Sequence, residues 1–502
     1  MAVFISPGVY TTELDFSLYV PRLATTIFAM VGTAPKGPTN ERTYITDEGN
    51  FIDTFGTPTS EHLGMLAAIR YLRTGRQLWF VRVATYDVAA TGNIRNAGDT
   101  ANSVAMTALS TGSWGNNITV AVAAGTNHGY KLTISYNAVP LEQWDDIYVG
   151  LAYVNDSDYI ETRINGNSKY ISVVDDTAQA TLSTSLTATL SGGDDGAPAD
   201  DSDVIGTVSG NTRTGLQLFA DPDSFDCNLI AAPGRWERTI VTEILTICES
   251  RGDCMGLIDP PYGLTVQQVV DWHNGVLTGN PEYLTAALNS SYGALYYAWL
   301  QQYNGYSDEN LWLPPCGNVA GRYAFTDYTY DPWYAPAGWK RGKLVDVLDV
   351  EHSPSLGERD LMMGIGNNVN PIVNFPTDGI MIYGQKTLQK APTALRDVNV
   401  RRMLLYARKT IATATRYLVF EPNDARTWDA FVDLVTPTLR SIQSRRGLYG
   451  FRVICDETTN TADRINNDEM LGKILVQPTR TAEIIEVQFS VLSYGANFEE
   501  FA

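Results

Sequence analysis

The stretch Ile485-Glu486-Val487-Gln488-Phe489-Ser490-Val491 decides how this chain is read. Its odd positions, Ile485, Val487, Phe489 and Val491, are apolar and its even ones polar. A period of two puts one set on each face of a β-strand. A polar tail, residues 496–502, follows it. The other terminus repeats the pattern. After the Pro7-Gly8 turn, Tyr10, Leu14, Phe16, Leu18 and Val20 alternate with Thr11, Glu13, Asp15 and Ser17. Two amphipathic strands at the two ends are what a subunit needs in order to lend strands to its neighbours' sheets. Eleven extended residues reach about 36 Å, and a domain of about 120 residues has a radius of gyration of only about 14 Å. Either arm is therefore long enough to cross to another subunit. Pairing inside the chain's own fold satisfies the same pattern, and these residues alone do not choose between the two destinations.

The bulk of the chain sets the frame for those ends. Its 502 residues predict about three domains with room for several cores. The apolar fraction, 44%, is that of a globular protein. A net charge of −20 argues against a general nucleic-acid or membrane-surface binder. The charge is unevenly spread, however. Residues 385–452 hold thirteen Lys and Arg against five Asp and Glu, a local balance of +8, so the remainder carries −28. Five scattered cysteines, Cys227, Cys248, Cys254, Cys316 and Cys455, form no CxxC pair, and buried reduced thiols are expected rather than a zinc site or disulfide framework. The start, Met-Ala-Val-Phe-Ile-Ser-Pro-Gly, has no basic n-region, so no secretion signal is expected. No run of about 18 apolar residues predicts a membrane span.

Along the chain, Thr25–Gly32 reads as a buried strand stopped by Pro35-Lys36-Gly37-Pro38. Ser60 is placed to cap a helix carrying Leu63, Leu66, Ala67 and Tyr71, and Gln77–Ala84 reads as a further strand. From about Gly92 to Ser209, Ser, Thr, Asn, Gly and Asp dominate and helical periodicity is scarce, which predicts a β-rich insertion. The acidic run Asp194, Asp195, Asp200, Asp201 and Asp203 lacks the ligand spacing of a calcium loop and reads as a solvated loop. Strand and helix patterns then alternate from Cys227 to Leu300, which fits an α/β layer. A stretch dense in aromatics from Leu313 to Trp339 predicts packing at an interdomain seam or subunit contact. Towards the end, Asp397 is placed to cap one long helix and Asn423 another, the second bent by Pro437 and ended by Gly447. Strands at Gly450–Cys455 and Lys473–Val476 complete an α+β unit.

Chemistry is sparse. The four histidines, His62, His128, His273 and His352, have no carboxylate or cysteine at metal-ligand spacing. No Gly-x-Ser-x-Gly elbow, Walker loop or His-Glu-x-x-His occurs, so no catalytic residue, metal or cofactor is expected. The informative feature is the stripe on the Asp397 helix, where Arg401, Arg408 and Arg416 recur at near-helical spacing with Arg402 and Lys409 beside them. It reads either as a solvated face or as a docking surface for an acidic partner. Exposed ion pairs are worth about 0–1 kcal/mol each, enough to register a partner and still release it. A donated strand, with its main-chain hydrogen bonds and buried alternate side chains, holds more firmly.

Across nearly the whole chain, short motifs occur in an order that resembles the tail sheath proteins of contractile-tailed bacteriophages and related phage-derived injection particles. They include Ser6-Pro7-Gly8-Val9-Tyr10-Thr11-Thr12-Glu13, Val31-Gly32-Thr33-Ala34-Pro35-Lys36-Gly37-Pro38, Phe51-Ile52-Asp53-Thr54-Phe55-Gly56 and Gly192-Gly193-Asp194-Asp195-Gly196. Further matches are Pro314-Pro315-Cys316-Gly317-Asn318-Val319-Ala320-Gly321-Arg322, Asn370-Pro371-Ile372, Val400-Arg401-Arg402-Met403-Leu404, Phe420-Glu421-Pro422-Asn423-Asp424 and Cys455-Asp456-Glu457-Thr458-Thr459-Asn460-Thr461. Cys316 stands where that family often has a serine.

The resemblance implies a multidomain α/β and α+β chain. An N-terminal arm (1–22) leads into a first α/β segment (23–91) and a β-rich insertion (92–209). An α/β middle domain, subtilisin-like in fold but non-catalytic, follows (210–384), then an inner, tube-facing α+β domain (385–484) and a C-terminal strand arm (485–502). It implies homohexameric rings stacked helically around a tail tube protein and joined to baseplate and tail-terminator or neck proteins. There is no direct nucleic-acid contact and no membrane insertion. Neighbouring subunits are expected to exchange the two arms, which makes Tyr10, Leu14, Phe16, Leu18 and Val20, and Ile485, Val487, Phe489 and Val491, intersubunit residues. With the C-terminal domain innermost, Arg401, Arg402, Arg408, Lys409 and Arg416 become the tube-facing candidates. The implied place is the virion tail, assembled in the host cytoplasm. The implied action is contraction of a metastable sleeve that drives the tube through the host envelope. The alternatives are the sheath of a tailocin or other injection particle, a hydrolase built on the middle domain, and a non-contractile capsid or surface protein with exchanged arms.

Overall fold

A computed structural model describes residues 26–179, 181–184, 187–484 and 486. The arm residues Tyr10, Leu14, Phe16, Leu18, Val20, Ile485, Val487, Phe489 and Val491 lie outside the described residues.

The centre is an eight-stranded sheet. Its strands run, edge to edge, Arg42–Ile45, Leu78–Arg82, Phe28–Gly32, Leu229–Ala231, Met255–Ile258, Gly293–Tyr297, Val369–Phe375 and Gly379–Ile382. The six inner strands are parallel, and an antiparallel strand closes each edge. Strands buried on both faces read as continuous apolar runs, which is how Phe-Ala-Met-Val at 28–31 reads. Phe28 and Met30 pack with Phe80, Leu257 and Tyr296 against the helices Leu63–Leu72 and Cys316–Thr329. Ala29 and Val31 face the opposite way, against Ile240, Ile244 and Ile247 of the helix Arg238–Arg251. Burying each large apolar side chain contributes about 1.5–3 kcal/mol. The first helix comes so close to the sheet that a Cβ on Gly64 would lie 3.0 Å from the Gly32 Cα.

The cap expected at Ser60 falls instead at His62, which makes no side-chain capping bond. Between the strands Leu78–Arg82 and Leu229–Ala231 the described residues make three antiparallel sheets, of four, three and two strands. The core of the two larger ones, around Ile118, Val120, Ile134, Ile160 and Val173, is separate from that of the central sheet. The acidic run there is not a plain solvated loop. Asp200 and Asp203 form a capping box on the helix Asp201–Ile205, Asp201 accepts from Arg235 at 2.7 Å, and Asp195 accepts from the Ser113 hydroxyl at 2.6 Å. All five cysteines are buried and free. Among the described residues no helix is long and apolar enough to cross a membrane.

After the last central strand come two long helices, Val398–Thr415 and Ala425–Ser444, and a hairpin of Leu448–Ile454 with Lys473–Pro478. Trp428, Phe431, Val435, Leu439 and Ile442 recur at helical spacing and bury one face of the second helix against Met403, Ala407, Leu448 and Cys455. Asp424, not Asn423, caps that helix, accepting from Thr427 N at 3.0 Å. Asn423 accepts from the Trp428 indole at 2.8 Å instead. Pro437 lies within this helix, which stops at Ser444, where Arg445 is the C-cap.

Candidate functional site

Two features of the C-terminal unit bear on function, the open hairpin and the basic helix. In the hairpin, Phe451 pairs with Val476 and Val453 with Ile474. Among the described residues each of these strands has one neighbour, so each keeps an unpaired edge. Ile474 and Val476 pack on the core that the helices share, while Lys473, Leu475 and Gln477 stand exposed. A lone two-stranded hairpin is marginal in water, and its open edges are templates for added strands.

The basic helix is a correction to the sequence reading. Its cations do not form one solvent face; most are turned onto the central unit. Arg401 is buried with its guanidinium 4.2 Å from the Tyr292 ring centroid and bonds to Ser291. Burial holds its pKa below the usual arginine value. Arg402 is buried in an ion pair with Asp327, whose side chain is 2% exposed, and lies 4.4 Å from the Tyr323 ring centroid. Arg408 donates to Gly252 O at 3.2 Å. Gly252 ends the helix Arg238–Arg251 in the left-handed region, at φ 67°, and a Cβ there would sit 2.4 Å from the Arg408 guanidinium. Lys409 pairs with Asp226 and reaches the Cys227 carbonyl. Of the five, Arg416 alone is exposed with no bond among the described residues, beside Tyr417, Val419 and Phe420, which are exposed too. The helix is thus a seam, and Trp333, from the aromatic-rich stretch, adds to it by packing on the C-terminal core and donating to Arg445 O at 2.9 Å.

Sequence reasoning missed the acceptors of this seam. Asp327 lies 75 residues from Arg402 and Asp226 lies 183 from Lys409, so no local spacing signals either pair. It also missed Lys386, with a side chain only 10% exposed, which bonds Asp397 at 2.7 Å and Glu483 at 2.8 Å. This explains why Asp397, at the N-cap position, makes no side-chain cap bond.

The carboxyl ends of the parallel strands are where α/β sheets place ligands. There Asp259 is buried, accepting from Cys316 N at 3.0 Å and Gly234 N at 3.2 Å, and burial raises its pKa to about 6. The neighbouring Cys316 thiol is pushed well above its ordinary value by burial and by Asp259. A reactive cysteine needs the opposite shift, so this pair ties a helix start to a strand end rather than arming a nucleophile. Among the described residues no group of three or more His, Cys, Asp or Glu is placed to hold a metal.

Residues 215–388 match the family described as phage tail sheath protein central domain, and residues 390–491 the phage tail sheath C-terminal domain. The tail sheath protein of Vibrio phage KVP40 is 32% identical over 303 residues, covering 57% of this chain and 45% of that protein. That of Enterobacteria phage T4 is 29% identical over 309 residues, covering 58% and 46%. The chain thus spans about half the length of these curated relatives. The fold matches the crystal structure of a sheath tail protein from Listeria innocua, with a TM-score of 0.63 at 15% identity over 91% and 92% of the two chains. It also matches the contracted helical sheath of the anti-feeding prophage, with a TM-score of 0.57 at 18% identity over 97% and 99%. These homologues are structural proteins, not enzymes. With a mixed α/β fold shared with solved sheaths and both sheath domains recognised in order, the chain belongs to the phage tail sheath family.

Proposed function

We propose that this chain is the sheath subunit of a contractile tail. It polymerises as stacked hexameric rings around a tail tube and contracts from a metastable extended state to drive the tube through the host envelope. The observation that carries the reading is the C-terminal hairpin, a sheet of two strands with, among the described residues, an unpaired edge on each side, in a chain whose sequence alternates apolar and polar residues near both ends. Arms from neighbouring copies complete that sheet and link the sleeve into a mesh. The intersubunit residues are Tyr10, Leu14, Phe16, Leu18 and Val20 at one end and Ile485, Val487, Phe489 and Val491 at the other. No nucleotide or cofactor takes part; the energy lies in folding and packing.

The C-terminal unit (385–484) faces the tube. With Arg401, Arg402, Arg408 and Lys409 held in the seam, the tube contact falls to Arg416 and its exposed neighbours Tyr417, Val419 and Phe420. The middle segment is a non-catalytic, subtilisin-like support. Tube, baseplate and neck proteins are the partners, the virion tail is the place, and assembly occurs in the host cytoplasm. Negative-stain microscopy of the purified full chain tests the reading. Long hollow cylinders are expected, and closed shells or persistent monomers would overturn it. An injection particle without a genome is the second reading, favoured by fold matches to the anti-feeding prophage and PVC sheaths. Nucleic acid staining of native particles separates the two.

A further inference from the structure

Contacts from both ends of the described chain lead to one helix, each through a single intermediate residue, Asp327 or Lys386. At the N-terminal end, the Thr26 hydroxyl donates to Asp327 Oδ2 at 2.6 Å, and the same oxygen is paired with Arg402 on the helix Val398–Thr415. At the C-terminal end, the chain leaves the hairpin and runs back to the start of that helix. There the Gln385 amide donates to the Thr481 hydroxyl at 2.6 Å, and Lys386 Nζ holds Glu483 at 2.8 Å and Asp397, the N-cap of the helix, at 2.7 Å. Gln385 and Lys386 are themselves fixed from the sheet. Asn370, on the strand Val369–Phe375, donates to Lys386 O at 2.7 Å and to Leu295 O at 3.0 Å.

We infer that Asp327 and Lys386 are positioning residues that root the two terminal arms on the basic helix, and so set the direction in which each leaves for a neighbouring subunit. A partly buried carboxylate or ammonium shared between a helix and an arm root is a charge-assisted contact, stronger and more directional than a neutral hydrogen bond. Both relays are short. One runs Thr26 to Asp327 to Arg402, the other Glu483 to Lys386 to Asp397. One residue of the stripe, Arg402, thus belongs to the N-terminal root, and the N-cap of the same helix, Asp397, to the C-terminal one. An arm tethered at its root pays less of the ordering entropy that strand addition demands, so rooting lowers the concentration at which copies knit together.

This inference rests on the strand-exchange reading, and the test separates their failures. Full-length Glu483→Gln and Thr26→Val remove one root contact each and leave the Lys386–Asp397 and Asp327–Arg402 pairs intact. Pelleting against concentration gives the polymerisation threshold, and thermal melting reports the fold. Each variant is expected to melt like wild type and to need about tenfold more protein to polymerise. Adding Lys386→Met to Glu483→Gln is expected to raise the threshold no further than Lys386→Met alone, because the two residues act as a unit. Wild-type thresholds in both single variants would overturn the inference while leaving strand exchange standing. Normal polymers from a chain lacking 485–502 would overturn strand exchange and the inference with it.

Discussion

The central sheet and the C-terminal hairpin face the same problem and solve it differently. The central sheet closes both of its edges with antiparallel strands of its own, Arg42–Ile45 and Gly379–Ile382, and buries its six parallel strands under helices on both faces. The hairpin has two strands, a helical cover on one side, and an open edge on each strand among the described residues. A closed sheet is a finished body. An open one, among the described residues, leaves backbone groups of both strands without a ladder partner.

The sharpest way to break this comparison is truncation. Deleting residues 1–20 or 485–502 is expected to leave soluble, folded chains with an unchanged central melt and no cylinders by negative stain. Cylinders from either truncation would mean the hairpin needs no donated strands. Next in size is the seam that joins the two regions. Arg402→Ala removes one buried, charge-assisted contact to Asp327, and urea unfolding should show a loss of about 1.5–3 kcal/mol.

A pH effect marks the central region. His273 is fully buried and neither ring nitrogen has a partner among the described residues; burial, with Lys390 nearby, lowers its pKa to about 4. Its unfolded value is near 6.5, so between pH 6.5 and 4 the unfolded chain binds the extra proton. Stability therefore falls as the pH falls through that window. Between pH 7 and pH 5 the His273 contribution to unfolding free energy should drop by about 2 kcal/mol, read as the difference in pH dependence between wild type and His273→Leu. Equal dependence in both would place the ring in contact with solvent. The smallest effect belongs to Arg416→Glu. Being exposed and unbonded, Arg416 should change stability by less than about 0.5 kcal/mol. Co-pelleting with purified tube should weaken, and unchanged docking would remove Arg416 from the tube contact.

Much of the fold is legible without coordinates. The run Phe28–Val31 is apolar at every position, as a strand covered on both faces requires, and Trp428, Phe431, Val435, Leu439 and Ile442 repeat at a helix's own period. Caps were read within a residue or two because Ser, Asp and Asn compete for the position, and neighbours settle which one serves. Asp397 does stand at the N-cap of its helix, but its carboxylate is taken by Lys386 and makes no cap bond.

The stripe Arg401, Arg402, Arg408 and Lys409 marks the limit of what spacing can say. Periodicity fixes that these residues are near one another on a helix, because 3.6 residues per turn is a local property of the backbone. It does not fix what they face. That depended on Asp226, Ser291, Tyr292, Tyr323 and Asp327 arriving from loops and a helix more than seventy residues away. The amino-acid sequence by itself determined the strands, the helices and the alternation of the two ends, all set by interactions between near neighbours in the chain. Only the tertiary structure decided that the positive helix is an internal seam and that, among the described residues, the hairpin's edges are left open, because burial and pairing are settled by contacts between distant segments.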